Sequence, residues 1–101
     1  MQYDVHRNPR RGSTAPYLLD IQQDLLRDLD TRVVIPLVPS DRFKRLSATL
    51  HPVFQIDGRL HVLLTHRLAA IHRRDLGETV VNLAVRSVEI GAAVDILRSG
   101  V

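Results

Sequence analysis

Val53-Phe54-Gln55-Ile56-Asp57-Gly58-Arg59-Leu60-His61-Val62-Leu63-Leu64 reads as two strand-like runs on either side of Asp57-Gly58. Asp-Gly suits the positive φ angles that a type I′ hairpin turn needs, so the middle of the chain is expected to be an antiparallel hairpin. Downstream, a further strand is expected around Leu68–Ile71 and a short one near Asp75–Leu76, closed by Gly77. Then the period changes. Ile90, Ala93, Val94 and Leu97 fall at i, i+3, i+4 and i+7 from Ser87 onward, the pattern of an amphipathic helix. Ser87 suits its N-cap, Glu89 its first turn, and Arg98 with Gly100 its exit about three residues before the chain ends.

Upstream of the hairpin, Tyr3 and Val5 alternate in a strand expected to begin at residue 2. The turn-forming stretch Asn8–Thr14 separates it from a second strand at Tyr17–Ile21. Gln22–Asp30 carries Leu25, Leu26 and Leu29 at helical spacing, but its acidic run leaves it open between a turn of helix and a loop. Arg32–Pro39 is β-branched and nearly continuous, as in a strand buried on both faces, with Pro36 expected at an edge or bulge. Ser40-Asp41 suits the cap of a short helix in which Phe43, Leu46 and Leu50 share a face; an irregular excursion fits the same residues. Many strands followed by one terminal helix predict an α+β, mainly β fold or small barrel with an antiparallel sheet.

The 101 residues suit one domain, 1–101, small enough that a partner subunit would help its stability. With no Cys, thiolate nucleophiles, thiol redox centres and Cys-type zinc sites are excluded. The longest apolar stretch, Val33–Val38, falls far short of the roughly 20 residues that span a bilayer, and the first residues lack signal-peptide character. A cytoplasmic protein without membrane contact is expected. The net charge of +3 is mild, and 13 of the 14 cations are Arg, which serve carboxylate pairing as well as phosphate contact.

No G-x-S-x-G, P-loop, G-x-G-x-x-G or H-E-x-x-H motif occurs. His61, His66 and His72 are close in sequence, yet on strands the first two point to opposite faces, which argues against a metal site. The loop holding Arg10, Arg11, Ser13 and Thr14 combines guanidinium forks, hydroxyls and a glycine amide that can cradle a phosphate, and equally reads as a solvated hairpin connection. Arg73-Arg74 is similar, and a solvated turn explains it as well as an acidic partner would. The tail Arg98-Ser99-Gly100-Val101 places the last helical carbonyls beside the chain end, either a recognition device or a frayed end.

Met1-Gln2-Tyr3-x-Val5, Asp20-x-Gln22-x-Asp24-Leu25-Leu26, Val34-Ile35-Pro36-Leu37, Leu50-His51-Pro52-Val53, Gly77-Glu78 and the closing helix to Gly100-Val101 form an ordered set. Together they resemble the CcdB family of plasmid-type toxins almost end to end. The resemblance implies a small SH3-like barrel of antiparallel strands with a C-terminal α-helix, paired as a homodimer. It also implies binding to the A subunit of DNA gyrase, neutralisation by a cognate antitoxin, contact with DNA only through that antitoxin, no cofactor and no catalytic residue.

In the family the gyrase contact is the extreme C-terminus, typically Trp-Gly-Ile; the corresponding residues here are Arg98, Ser99, Gly100 and Val101. Ser99 stands where the family has tryptophan, and losing such an anchor costs on the order of 2–4 kcal/mol, a roughly 30- to 1000-fold drop in affinity. Leu25, Leu26 and Asp95 match positions that the resemblance assigns to the antitoxin groove. The alternative readings are a ribonuclease on the related MazF-type barrel, with Arg10, Arg11, Ser13 and Thr14 at the phosphate, and a non-toxic homologue that retains antitoxin binding.

Overall fold

A computed structural model describes residues 1–100. Its strands are β1 (Asp4–Arg7), β2 (Tyr17–Asp20), β3 (Thr31–Pro39), β4 (Val53–Ile56), β5 (Arg59–Leu63), β6 (Ala69–His72) and β7 (Thr79–Asn82), followed by helix α1 (Ser87–Ser99). The strands run antiparallel in the order β4-β5-β3-β2-β1-β7, with β6 also paired to β3. This is the curled sheet of an SH3-like barrel with a C-terminal helix.

The hairpin forms as its sequence predicts. Asp57 at φ 51° and Gly58 at φ 78° make the turn, and Ile56 pairs with Arg59 across it. Strand β3 is the spine: Val34–Leu37 pair with β2 along one edge, while the other edge is divided between β6, at Thr31–Val34, and β5, at Leu37–Pro39. Pro36 sits between those two partners. Its carbonyl accepts from the Leu64 amide at 2.9 Å, and its missing N–H faces the gap, so a proline is tolerated inside the sheet.

The main core gathers Val5, Leu19, Ile35, Leu37, Phe54, Ile56 and Leu63 from the sheet with Leu83 and Ile90, while Ala15, Val38, Val62 and Leu64 form a second cluster. Helix α1 buries Ile90 and Ala93; Leu97 is 42% exposed and lies outside that seam.

Several boundaries differ from the expectation for physical reasons. Tyr3 has φ 71°, so the regular strand begins at Asp4. Gln22–Asp30 holds one 3₁₀ turn, Asp24–Leu26, capped by the Gln23 side chain. After Ser40 only the 3₁₀ turn Ser40–Arg42 forms, and Leu46 is 84% exposed, so Phe43, Leu46 and Leu50 share no buried helical face. The short strand expected near Asp75–Leu76 is instead the end of a 3₁₀ turn, Arg73–Asp75, and pairing resumes after Gly77 as β7 against β1. Ser87 is the first helical residue, preceded by a 3₁₀ turn at Ala84–Arg86; Arg86 occupies the cap and makes an ion pair with Glu89. The helix runs on to Ser99, further than expected.

Candidate functional site

The β1–β2 connection is a built loop. The Asn8 side chain accepts from the Arg10 amide at 3.1 Å and donates to the Ala15 carbonyl at 2.9 Å, and Gly12 takes the left-handed conformation at φ 80°. The Ser13 hydroxyl accepts from the Ala15 amide at 3.1 Å and from the Asn8 side-chain amide, also at 3.1 Å. Under this loop lies a cavity of about 620 Å³, where Arg10 and Ser13 meet Leu18, Pro36, Ile71 and Asp75. The four loop residues singled out for phosphate contact do not converge: Arg11 is exposed, and Thr14 lines a different cavity with Arg42, Phe43 and Arg67.

Asp75 is the residue that the sequence reading missed. The pairing of β6 with β3 brings the turn that follows that strand, Arg73–Asp75, opposite the β1–β2 loop, and no local motif announces such a long-range approach. A carboxylate, a guanidinium and a hydroxyl on one concave surface can position a phosphodiester and accept a proton from a nearby hydroxyl.

At the other end of the chain, α1 closes on Gly100 at φ 78°, whose amide donates to the Ile96 carbonyl at 2.8 Å. Arg98, Ser99 and Gly100 are exposed. Arg98 lies 4.0 Å from Asp95, and the Ser99 hydroxyl donates to the Asp95 carbonyl at 2.8 Å, so both side chains fold back along the helix. Val101, the fourth residue of the expected contact, lies outside the described residues.

Leu25 and Leu26 are 85% and 49% exposed on their 3₁₀ turn, with Leu29 beside them at 50%. The turn itself is held: the Asp24 carboxylate accepts from the Gln2 amide at 2.8 Å, and the Gln22 side chain donates to the Leu26 carbonyl at 3.1 Å. Two apolar side chains are thus kept in water by a fixed backbone, as in a docking surface. Asp95 borders a separate small cavity with Tyr3, Ile21, Ile90 and Val94, whose lining includes neither leucine.

The histidines are dispersed. His61 packs edge-on against the Tyr17 ring at 5.0 Å, and His72 lies on β6. His66 is on a 3₁₀ turn rather than a strand, so the face-alternation argument does not govern it; its Nδ1 lies 3.0 Å from Nε2 of buried His51. Phe43 packs against both rings. Burial, then His66, then Arg45 hold the His51 imidazole below its ordinary value. Among the described residues no group of three His, Asp or Glu gathers as metal ligands. No described helix is long and apolar enough to cross a membrane.

Solved structures share this fold. The Mycobacterium tuberculosis toxin MazF-mt6 is 17% identical, with a TM-score of 0.76 over 94% of this chain and 95% of that one. An endoribonuclease in complex with its cognate antitoxin, from a mycobacterial species, is 12% identical with a TM-score of 0.77 over 97% and 93%. A third, an Mtb toxin, is 13% identical with a TM-score of 0.68 over 96% and 99%. At such identities the likeness is one of fold. The sequence match is more specific, because the model of the CcdB protein family covers residues 2–100, both the barrel and its helix: the chain belongs to the CcdB family.

Proposed function

We propose that this protein is the toxin of a toxin–antitoxin module and acts by binding rather than by catalysis. The exposed end of α1, Arg98-Ser99-Gly100, is the surface offered to the A subunit of DNA gyrase, and Leu25 with Leu26 is the apolar pair offered to a cognate antitoxin, the working unit being a homodimer. The observation that carries this reading is the family match over residues 2–100, which includes the helix and its glycine-closed end. A fold neighbour described in complex with its antitoxin supports that partner. Pull-down with the gyrase A subunit, together with a cleavage-complex assay on supercoiled DNA, tests the mechanism; absence of binding at micromolar concentration sinks it.

One observation favours a second reading, an endoribonuclease. Arg10, Ser13 and Asp75 share one cavity, and a fold neighbour is described as an endoribonuclease. Arg10 would hold the scissile phosphate while Asp75 takes the proton of the attacking hydroxyl. RNA cleavage that disappears in Arg10→Ala/Arg11→Ala supports it, and RNA left intact by the purified protein counts against it. If neither gyrase nor RNA responds, tight antitoxin binding with harmless overexpression identifies a non-toxic homologue.

A further inference from the structure

On the face shared by β1, β2 and β3 lies a second cavity, of about 280 Å³, lined by His6, Asp20, Arg27, Arg32, Arg73 and Leu76 among others. Three guanidinium groups border it against one carboxylate. Asp20 is 1% exposed and already paired, its Oδ2 accepting from Arg32 Nε at 2.8 Å. Arg32 is itself 4% exposed; its Nη2 donates to the Gln22 carbonyl at 3.2 Å and lies 3.8 Å from the Asp24 carboxylate.

The other two cations line the cavity without an ion pair, and Arg73 is held there by a hydrogen bond. Arg73 Nη1 donates to the Arg27 carbonyl at 2.8 Å, which joins the 3₁₀ turn after β6 to the turn after Leu26. That acceptor is a neutral carbonyl, and neither Arg73 nor Arg27 makes an ion pair among the described residues. The wall is completed by His6, whose Nδ1 lies 3.0 Å from the Gly77 carbonyl and whose buried Nε2 has no partner. With Arg32 and Asp20 cancelling, Arg27 and Arg73 leave the cavity an excess of positive charge.

We propose that this cavity binds a phosphate group. Planar guanidinium forks match the oxygens of a phosphate in pairs, and three of them around one concavity exceed what a single carboxylate needs. The site is separate from the loop cavity of Arg10 and Ser13 and stands whether the protein acts on gyrase or on RNA. No residue assigned to either action lines it.

Titration of the full-length protein with orthophosphate at constant ionic strength, followed by nitrogen–proton correlation spectra, tests the site. Saturable shifts are expected in the Arg27 and Arg73 side chains, the Gly77 amide and the His6 ring. Arg27→Gln and Arg73→Gln, both at exposed positions, each weaken binding about tenfold or more, as loss of a charge-assisted hydrogen bond does. Arg59→Gln makes the same charge change at a side chain paired with Asp41 and leaves binding intact. Adenosine monophosphate separates the sources: tighter binding than orthophosphate identifies a nucleotide, and equal or weaker binding identifies free phosphate. Shifts that do not saturate, or an Arg59→Gln effect as large as that of Arg73→Gln, overturn the proposal.

Discussion

The phenolic hydroxyl of Tyr17 donates to Oδ2 of Asp57 over 2.7 Å, tying β2 to a hairpin turn that lies 40 residues away in sequence. Arg7 approaches the same oxygen at 3.4 Å, so the turn that begins as local chemistry is fastened to the first two strands. Tyr17→Phe keeps the ring's packing against His61 and removes this bond. Because the acceptor is charged but half in water, the expected loss is about 1–2 kcal/mol, read as a lower urea midpoint with an unchanged slope.

Stability is expected to fall in mild acid through His51. The folded protein holds this imidazole below its ordinary value, chiefly by burial and then through His66 and Arg45. As pH drops through about 6.5, the unfolded chain takes up a proton that the folded chain refuses. The contribution is therefore complete above that pH and declines below it, until the folded His51 itself titrates. Urea midpoints measured between neutral and mildly acid pH should show this decline, and His51→Phe should flatten it; a wild-type midpoint that rises on acidification contradicts the account.

Gly77 is required by contact. A Cβ there would stand 2.5 Å from the Arg7 carbonyl oxygen, which accepts the Gly77 amide at 2.9 Å. Gly77→Ala must push β1 away from the segment leading into β7, at a cost of about 1–3 kcal/mol. Hydrogen exchange should show protection lost first at Thr79–Asn82, while the β4–β5 hairpin keeps its own.

Removing the Arg32 side chain leaves Asp20 buried with its main partner gone, the amino group of Met1 lying 3.7 Å away. Arg32→Met is expected to destabilise by about 3–5 kcal/mol, and the double variant Arg32→Met/Asp20→Asn to recover part of that loss. Denaturation of the two variants side by side checks the claim; equal losses would mean that the charge on Asp20 is not what matters.

Restoring the family's aromatic residue tests the binding reading directly. Ser99→Trp places a large stacking surface on the exposed end of α1, and affinity for the gyrase A subunit should rise by roughly 30- to 1000-fold. Surface plasmon resonance with immobilised gyrase A measures it. An unchanged response shows that this end of the helix is not the contact.

What could be read in advance was whatever short-range chemistry decides. Asp57-Gly58 announced its turn, and the spacing of Ile90, Ala93 and Val94 announced the buried side of α1. Strand β7 was not legible, because Thr79–Asn82 is mostly exposed and is defined by its pairing with β1 from the far end of the chain. The same holds for the cavities. Arg10 and Ser13 were visible as a basic, hydroxyl-bearing loop, but Asp75 reaches them only through the fold, and nothing near His51 signals its approach to His66. Leu25 and Leu26 stood out as a pair, and only the held 3₁₀ turn shows that both stay in water.

Pro36 gives β3 two edges' worth of neighbours on one side without letting them communicate through the ladder. Pro36 lends no amide of its own to the junction, where the single bond is that of the Leu64 amide to its carbonyl, so the hairpin leaf beyond it and the β6 leaf before it each set their own register against the same spine. A slip or bulge in one leaf stops at the proline. The loops hung on the β6 leaf, with Asp75 and Arg73 at their tips, are therefore free to be remodelled for a new partner while the hairpin half of the barrel keeps its shape.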